Sequence, residues 1–391
     1  MKPPPPLAIP SASALFVANG GRDLDTTKAP VALPAGTHVR LVDDREAEVG
    51  LAIVDPENHR LRVMATPDDG FPAIDGALIG WRVERAMRWR TQLGLPGVDH
   101  AYRAIHGAGD GLPGFACDVL GRVAVVYAYG EGLRALGKTI AEAIIGFARL
   151  DGAVVKLRAR GGSDAVEQDV VGKVPESYVA TELGVPIEIH PLGGLNAGLF
   201  TDMREHRRDL ARFAADRRVL NLFSYTGALG LACARAGAKT VANVDTSTGV
   251  QAWARGNFGR SGLTDGARYR FDVGDAGRFL ARAVKDKERY DLVVIDPPTY
   301  SPAKGGGGWV LDRDYPELIA KAATVVPSDG LLWLAANTHE LASLAKLAVK
   351  GLRLAGRTAA IVTQGGLPPD YPTLVAQPQD RYLQVILLRL S

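Results

Sequence analysis

The chain carries the stretch YDLVVIDPPTY at residues 290–300, where an apolar run ends in an acid, two prolines and an aromatic. Such a continuous apolar run is typical of a strand that is buried on both faces of a parallel sheet. The prolines make the backbone after it stiff and leave carbonyl acceptors exposed. Asp296, Pro297, Pro298 and Tyr300 are therefore candidates to hold a flat ring. The alternative is an ordinary proline-rich turn at a strand exit.

Strand and helix patterns alternate through the rest of the region after about residue 190. The predicted strands are 219–223, 240–245, 269–273, 290–296, 331–335, 358–363 and 382–390. Apolar strands separated by helices indicate an α/β fold with a mostly parallel, doubly wound, Rossmann-like sheet. Ligands in such folds bind beyond the carboxyl ends of the strands.

Two smaller domains are predicted before this sheet. Short alternating strands at 38–42, 48–54 and 61–65 indicate a small β-rich domain over residues 1–80, after a proline-rich leader that we expect to be disordered. A helix from Trp81, strands at 102–106, 123–129 and 153–160, and a helix over 133–147 predict an α+β domain over residues 81–190. The sheet domain then covers residues 191–391.

Composition indicates a globular chain. Its 391 residues are 47% hydrophobic, with a net charge of +3 and a pI near 8.8, which permits a nucleic-acid partner without demanding one. We expect no signal peptide and no membrane span, and hence a cytoplasmic location. Cys117 and Cys233 lie in apolar contexts without metal-ligand spacing, which favours buried, reduced thiols and no metal.

A glycine-bearing turn follows the first strand of the predicted sheet, in NLFSYTGALG at residues 221–230. Glycine lets cofactor atoms approach the backbone, and the next helix offers N–H donors at its N-terminus. The G-x-G-x-x-G spacing of dinucleotide-binding proteins is absent, so phosphate binding is not specially favoured.

Acids follow the next three strands. Asp245 lies where a carboxylate can accept from both hydroxyls of a ribose. Asp272 and Asp275 follow on the third segment, where an acid can accept from an adenine amine, and Asp296 ends the fourth strand. This series after a glycine turn predicts S-adenosylmethionine as the cofactor, with purely structural roles as the alternative.

Two basic segments favour an RNA substrate over a small molecule or protein, and the second of them is a candidate for contact with a phosphate backbone. The helix from Trp81 carries Arg82, Arg85, Arg88 and Arg90 among its tryptophans. In the strand predicted over 153–160, alternation places Lys156, Arg158 and Arg160 on one face. A solvated sheet face is the alternative for that strand.

From about residue 81 the chain resembles the class I methyltransferases of the bacterial large-subunit ribosomal RNA group, in which a PUA domain and a small α+β domain precede the catalytic domain. The matching stretches are GDGLPG at 109–114, AGLFTDMR at 197–204, residues 221–227 and 296–300, DRDY at 312–315, and DYP at 370–372. The first 80 residues lack the usual opening of a PUA domain, which leaves two alternatives for them: a diverged PUA-like domain or a different small β-rich domain.

The resemblance implies roles for individual residues around the cofactor. It implies that Phe200, Asp202 and Arg204 close over the methionine part, and that Asp296 lies near the methyl group. The other cofactor residues that it implies are Phe223, Ser224, Tyr225, Thr226, Gly227, Asp245, Thr246 and Asp275. For Asp202 and Arg204 the alternative is a surface ion pair that opens an arginine-rich helix.

The atom that is methylated follows from a missing thiol. Relatives that make 5-methylcytosine need a cysteine, because C5 is not nucleophilic until a thiolate adds to C6. They carry it at the end of the strand after the Asp-Pro-Pro motif, where this chain has Asn337. Asp296 to Tyr300 with Asn337 resembles the branch that makes 7-methylguanine. We therefore expect direct transfer to a base nitrogen, with Asn337 among the catalytic residues; its alternative role is to cap a helix that begins near His339.

The expected partner is RNA, namely 23S ribosomal RNA, and a homodimer is left open. The loop from Ser301 to Trp309 contains four glycines, and we expect it to fold over the substrate with Lys304 toward phosphate, unless it is only a flexible surface loop. Three functions stay open besides base-nitrogen methylation: 5-methylcytosine formation by an unrecognised nucleophile, methylation of a small molecule or protein, and RNA binding without catalysis.

Overall fold

A computed structural model describes residues 3–95, 101–158, 167–301, 308–339 and 343–391, with the backbone alone at Tyr300 and Ser301. These residues belong to two compact units. The first consists of Met1–Leu183, Ile189–Asp202 and Pro369–Asp380, and the second of Gly184–Glu188, Met203–Pro368 and Arg381–Ser391. The domain boundaries near residues 80 and 190 stay predictions. Across the described ranges, none of the helices combines the length and the apolar character needed to cross a membrane.

The elements up to residue 189 form several small sheets with three helices among the described residues. The strands are β1 (Pro6–Ala8), β2 (Asp23–Asp25), β3 (His38–Val42), β4 (Glu48–Asp55), β5 (Arg60–Ala65), β6 (Ala101–His106), β7 (Phe115–Leu120), β8 (Val123–Ala128), β9 (Gly152–Leu157), β10 (Gln168–Gly172), β11 (Tyr178–Glu182) and β12 (Val185–Ile189). The helices are α1 (Ser11–Ala18), α2 (Gly76–Gln92) and α3 (Arg134–Ala148).

The proline-rich leader forms an edge strand, so the prediction that it is disordered is wrong for its last residues. In the first sheet, of order β1-β3-β4-β5-β2, strand β1 pairs in parallel with β3. The Arg40 N–H donates to the Pro5 carbonyl at 3.0 Å, and the Ile9 N–H donates to the Val42 carbonyl at 2.9 Å. A proline lacks its own N–H but can still offer a carbonyl at a sheet edge.

Helix α2 begins at Gly76, five residues before the predicted start at Trp81. Asp75 caps it by accepting the N–H groups of Ala77 and Leu78 at 2.9 and 3.2 Å. The glycines at 76 and 80 have poor helix propensity, and for this reason the sequence pattern did not predict the first turn of the helix.

Two of the arginines on α2 are structural. Arg82 is buried and donates to Asp69 at 2.7 Å, and Arg90 makes a bidentate pair with Asp110 at 2.6 and 2.8 Å. A buried guanidinium paired in this way holds the protein core together and cannot reach a phosphate. Arg82 and Arg90 therefore do not support an RNA partner as the sequence of this helix suggested, while Arg85 and Arg88 are exposed.

The basic face predicted over 153–160 is also corrected. In the second sheet, of order β10-β9-β8-β7-β6, Lys156 on β9 is fully buried and its Nζ donates to the carbonyls of Gly193 and Gly194 at 3.2 and 2.7 Å. Neither a phosphate contact nor a solvated face describes it. Burial lowers the pKa of Lys156 to about 8. Arg158 follows the end of β9 and is exposed, and Arg160 lies outside the described residues.

The second unit contains the large sheet. The strands from Met203 onward are β13 (Arg218–Leu222), β14 (Thr240–Asp245), β15 (Tyr269–Val273), β16 (Leu292–Ile295), β17 (Tyr300–Ser301), β18 (Trp309–Val310), β19 (Leu331–Asn337), β20 (Ala359–Gly365) and β21 (Leu383–Leu390); β17 and β18 pair with each other in a separate small sheet. The helices are α4 (Arg204–Ala211), α5 (Ala228–Arg235), α6 (Thr248–Arg260), α7 (Ala276–Lys285), α8 (Leu311–Val325) and α9 (Leu344–Leu354).

The order of the large sheet is β15-β14-β13-β16-β19-β21-β20. Strands β15 to β19 of this series run parallel, and β21 is antiparallel to both of its neighbours. The prediction of a mostly parallel α/β sheet is thus confirmed. Buried residues of the strands, such as Val293 and Leu332, pack with residues of α7, α8 and α9 in one hydrophobic core. Because the strands from β15 to β19 are parallel, their carboxyl ends meet at one edge of the sheet.

Candidate active site

The turn after β13 is held in a strained conformation at the carboxyl edge of the sheet. Phe223 and Tyr225 have φ angles of 56° and 47°, in the left-handed region that costs a non-glycine residue about 1–2 kcal/mol. Gly227 has φ +80°, and a Cβ there would lie 3.1 Å from the Cβ of Ala254. The turn therefore requires glycine for its backbone conformation and for packing on α6. Ser224 and Thr226 are buried within the same turn.

Asp245 stabilises this turn from the end of β14. Its Oδ2 accepts the Tyr225 N–H at 3.0 Å, and its Oδ1 accepts the Ser247 N–H at 3.1 Å. The side chain is half-buried, and each carboxylate oxygen can accept a second hydrogen bond. A carboxylate fixed by two backbone amides at a strand end fits a ribose diol, so the residues present are compatible with an adenosyl cofactor. Thr246 follows and is exposed.

The third strand brings Asp275 close to this group. The backbone N–H of Gly274 donates to the carbonyl of Asp245 at 2.9 Å, which ties the exit of β15 to the end of β14. Asp275 itself is exposed and caps α7, because its Oδ1 accepts the Arg278 N–H at 2.9 Å. The capping role is what the structure shows; the adenine role of Asp275 stays a prediction.

Gln251 is a residue of this edge that the sequence pattern missed. It is buried on α6, and its Nε2 lies 3.1 Å from Ser224 Oγ and 3.2 Å from the carbonyl oxygens of Asn243 and Asp272. One amide thus links the ends of three neighbouring strands. Gln251 shares a helix face with buried Ala254 and Phe258, and a polar residue on such an apolar face is the signal that would have revealed it.

The Asp-Pro-Pro-Thr segment that follows β16 is stiff by sequence, and hydrogen bonds from Trp309 and Leu311 fix it further. The Trp309 Nε1–H donates to the Pro298 carbonyl at 2.8 Å, and the Leu311 N–H donates to the Thr299 carbonyl at 3.2 Å. The ring of Trp309 also lies 5.7 Å from the ring of Phe223, between centroids. The stiff exit is therefore joined to the glycine turn through one tryptophan.

Tyr315 holds the two strands that end beside this exit. Its hydroxyl is fully buried and lies 3.0 Å from the carbonyl oxygen of Ile295 and 2.9 Å from that of Ala335, at the ends of β16 and β19. Burial, together with the nearby charge of Asp296, raises the pKa of Tyr315 well above its usual value. The phenol therefore stays protonated and keeps donating. Asp296, the next residue after Ile295, is half-buried.

Asn337 ends β19 next to the Asp-Pro-Pro-Thr exit. The Thr299 hydroxyl donates to the Asn337 carbonyl, and the Asn337 side chain is exposed. The helix-cap alternative for Asn337 is wrong, because α9 begins at Leu344 and its cap is Ser343, whose Oγ accepts the Lys346 N–H at 3.4 Å.

Three other predicted site residues, Phe200, Asp202 and Arg204, precede the large sheet along the chain. Phe200 and Asp202 belong to the first unit, where Asp202 is buried and Phe200 is 41% exposed. Arg204 begins α4 in the second unit and is 3% exposed, with its Nε 3.4 Å from Glu205 Oε1. The surface ion pair suggested for Asp202 and Arg204 is wrong, since both side chains are buried. Lys304 and the side chain of Tyr300 lie outside the described residues.

The second unit thus brings together Phe223 to Gly227, Asp245, Thr246, Asp275, Asp296 to Pro298 and Asn337 at one edge of the sheet. Neither cysteine belongs to this group as an accessible thiol. Cys117 lies in the first unit, Cys233 lies on α5, and both are fully buried.

Comparison with known proteins agrees with this arrangement. A family model described as S-adenosylmethionine-dependent methyltransferase matches residues 103–375. Ribosomal RNA large subunit methyltransferase I of Klebsiella pneumoniae (strain 342) is 28% identical over 364 residues, which cover 91% of this chain and 90% of the relative. Ribosomal RNA large subunit methyltransferase K of Neisseria meningitidis serogroup B is 34% identical over 186 residues, covering 47% of this chain and 52% of the relative.

The fold is shared with a solved structure. The crystal structure of SMU.776, which holds bound SAH, superposes with a TM-score of 0.87 at 22% identity and covers 98% of this chain and 100% of that one. The family match over most of the chain confirms the enzyme class and the cofactor that the glycine turn and the strand-end acids predicted. The chain belongs to the S-adenosylmethionine-dependent methyltransferase family.

Proposed function

We propose that this methyltransferase acts on large-subunit ribosomal RNA and transfers the methyl group directly to a base nitrogen, with guanine N7 favoured over an exocyclic amine. The names of the Klebsiella and Neisseria relatives support the RNA substrate. The observation that supports a nitrogen acceptor over cytosine C5 is the burial of both cysteines.

Methylation of cytosine C5 requires a thiolate that adds to C6. The chain has two cysteines, both 0% exposed, and neither can reach a nucleotide in the folded protein. Burial raises the pKa of Cys233 to about 12 and also raises the pKa of Cys117, so neither forms a thiolate near neutral pH. At the strand end where relatives carry the nucleophile, this chain has the exposed amide Asn337.

On the cofactor side, S-adenosylmethionine supplies an electrophilic methyl group when it is bound. Asp245 would accept from the ribose hydroxyls with the lone pairs that its two backbone donors leave available. Residues Phe223 to Gly227 would lie beneath the cofactor, Thr246 beside the ribose, and Asp275 toward the adenine. Phe200, Asp202 and Arg204 would hold the methionine part.

On the acceptor side, the chain has to orient a base. The lone pair of guanine N7 lies in the ring plane and needs no deprotonation, so alignment with the methyl group is the main requirement. Pro298 and Thr299 are fixed by Trp309 and Leu311, which gives a rigid surface for a base edge. The exposed Asn337 amide would donate to that edge. An exocyclic amine would instead need acceptors, for which the Asp296 carboxylate and the Pro297 carbonyl are the candidates.

The experiment is transfer of labelled methyl groups to ribosomal RNA from cells that lack the gene. Purified full-length protein should label large-subunit RNA, with small-subunit RNA from the same cells as the matched control. Cofactor binding is measured separately by calorimetry. A protein that binds the cofactor but labels neither RNA contradicts the proposal and favours a small-molecule or protein substrate. A protein that binds RNA but no cofactor is the inactive RNA-binding relative.

A further inference from the structure

A buried chain of hydrogen bonds surrounds Thr201 in the first unit. The Thr201 Oγ1 lies 2.5 Å from Asp118 Oδ1 and 2.5 Å from the Tyr371 hydroxyl, and Thr201 is 2% exposed. We call Tyr371, Thr201 and Asp118 the threonine relay. Its members come from three distant parts of the chain, and Thr201 directly precedes Asp202.

The chemistry of the three groups sets the direction of the relay. A carboxylate oxygen accepts hydrogen bonds, so the Thr201 hydroxyl must donate its single hydrogen bond to Asp118. Thr201 Oγ1 can then only accept from Tyr371. Arg103, the cross-strand neighbour of Asp118, donates to both oxygens of its carboxylate at 2.9 and 3.3 Å. Each hydroxyl therefore has one defined role, which fixes the rotamers of Tyr371 and Thr201.

The Tyr371 end of the relay is anchored as firmly as the Asp118 end. The Arg103 guanidinium lies 4.5 Å from the centre of the Tyr371 ring, and the Arg103 N–H donates to Asp370 Oδ2 at 2.9 Å. The Arg90 guanidinium donates to the Asp370 carbonyl at 2.6 Å. A Cβ at Gly109 would lie 1.8 Å from the Pro372 carbonyl oxygen, so only glycine allows this segment to approach. Both ends of the relay thus rest on rigid groups.

We propose that the threonine relay positions Asp202 for the cofactor. This inference rests on the proposed role of Asp202 toward the methionine part. Residues Thr201–Met203 form a single 3₁₀ turn, and the first of them, Thr201, is buried with its hydroxyl bonded to Asp118 and Tyr371. The side chain of Thr201 therefore anchors the turn on its N-terminal side. Satisfied polar groups specify one geometry where apolar packing would permit several. The relay residues act through Asp202 and are positioning residues.

The test compares variants that remove or retain the hydroxyls. Thr201→Val and Tyr371→Phe should each weaken binding of S-adenosylhomocysteine about tenfold by calorimetry, since each breaks a relay that ends on a charge. Thr201→Ser retains the hydroxyl and should bind within about twofold of wild type. The double variant Thr201→Val/Tyr371→Phe should bind no more weakly than Thr201→Val alone, because both changes break one unit.

Tyr178→Phe is the matched control, since it removes another tyrosine hydroxyl of the first unit, one that donates to the Leu120 carbonyl. Its affinity for S-adenosylhomocysteine should be unchanged. The proposal is overturned if Thr201→Val and Tyr371→Phe bind like wild type, if Thr201→Ser binds as weakly as Thr201→Val, or if Tyr178→Phe shows the same loss. No RNA is needed, so wild-type protein that binds S-adenosylhomocysteine but leaves RNA unmethylated would refute the proposed substrate and not the relay.

Discussion

The indole N–H of Trp309 donates to the carbonyl of Pro298 at 2.8 Å, which connects the residue after the glycine-rich loop to the exit of β16. The same ring lies 5.7 Å from Phe223 and 6.2 Å from Tyr315. Trp309 is thus the contact between the proposed cofactor side and the proposed acceptor side of the site. Its contribution should appear in the chemical step.

Trp309→Phe retains a ring beside Phe223 but loses the hydrogen bond to Pro298. We expect kcat to fall about tenfold, because a slightly misplaced base aligns poorly with the methyl group, while the Kd of the cofactor changes less than about twofold. Single-turnover methylation and calorimetry separate the two. Tyr290→Phe, which removes a hydroxyl bonded to Glu288 at the start of the same segment, is the control. Equal loss in both variants would contradict a specific role for Trp309.

Asp245→Asn should weaken cofactor binding. The carboxylate accepts two backbone N–H groups, and an amide nitrogen in place of either oxygen would face a donor and could not accept from a ribose. We expect the Kd of S-adenosylhomocysteine to rise about 10- to 100-fold, the range for hydrogen bonds to a charged group.

Asp291→Asn is the matched comparison for Asp245. Asp291 also accepts a backbone N–H, that of Arg218 at 2.9 Å, but it precedes β16, at the opposite end of the strands. Its substitution should leave the cofactor Kd unchanged. If Asp291→Asn weakens binding as much as Asp245→Asn, the effect comes from the fold and not from the ribose.

A cysteine-free variant should remain active. Cys117→Ala/Cys233→Ala removes both thiols of the chain at a cost of roughly 1 kcal/mol of stability each, typical of a small buried truncation. Because the proposed transfer uses no thiolate, methyl incorporation per folded molecule should stay within about twofold of wild type. Loss of incorporation in a variant that is folded by circular dichroism would show that a buried cysteine takes part.

The stability that Lys156 contributes should depend on pH. Burial lowers its pKa from 10.5 to about 8 in the folded protein. Between these two values the unfolded chain holds a proton at Lys156 that the folded protein has released, so the free energy of unfolding rises with pH. Wild type should therefore gain stability relative to Lys156→Met from about pH 8 to pH 10.5 and show little change below pH 7. Urea denaturation of both proteins at pH 7, 8.5 and 10 measures this, and a constant difference would contradict the burial of a charged group.

Much of the large sheet can be predicted from local sequence. Apolar runs such as 292–295 predict their strands because burial on both faces leaves no polar alternation. The acids at the strand ends and the turn at 223–227 could be predicted to lie together, because parallel strands bring their carboxyl ends to one edge of the sheet. These features depend on neighbours along the chain and are visible in one sequence.

Contacts between distant residues could not be predicted. Lys156 alternates with Arg158 as a solvated face would, but its acceptors are the carbonyls of Gly193 and Gly194, far along the chain. The burial of Arg90 depends on Asp110 and Asp370 in the same way. For Asn337, a local rule offered a helix cap as the alternative to a catalytic role, yet Ser343 caps α9. The roles of Gln251 and Trp309 also arise only when the strand ends meet.

The most direct test of the proposed reaction is the identity of the methylated nucleoside. Large-subunit RNA labelled by the purified wild-type protein is digested to nucleosides and analysed by mass spectrometry against standards. We predict that 7-methylguanosine carries the label, as expected for transfer to a lone pair without a thiolate. Label in 5-methylcytidine would contradict the account, because neither buried cysteine can provide the nucleophile which that product requires.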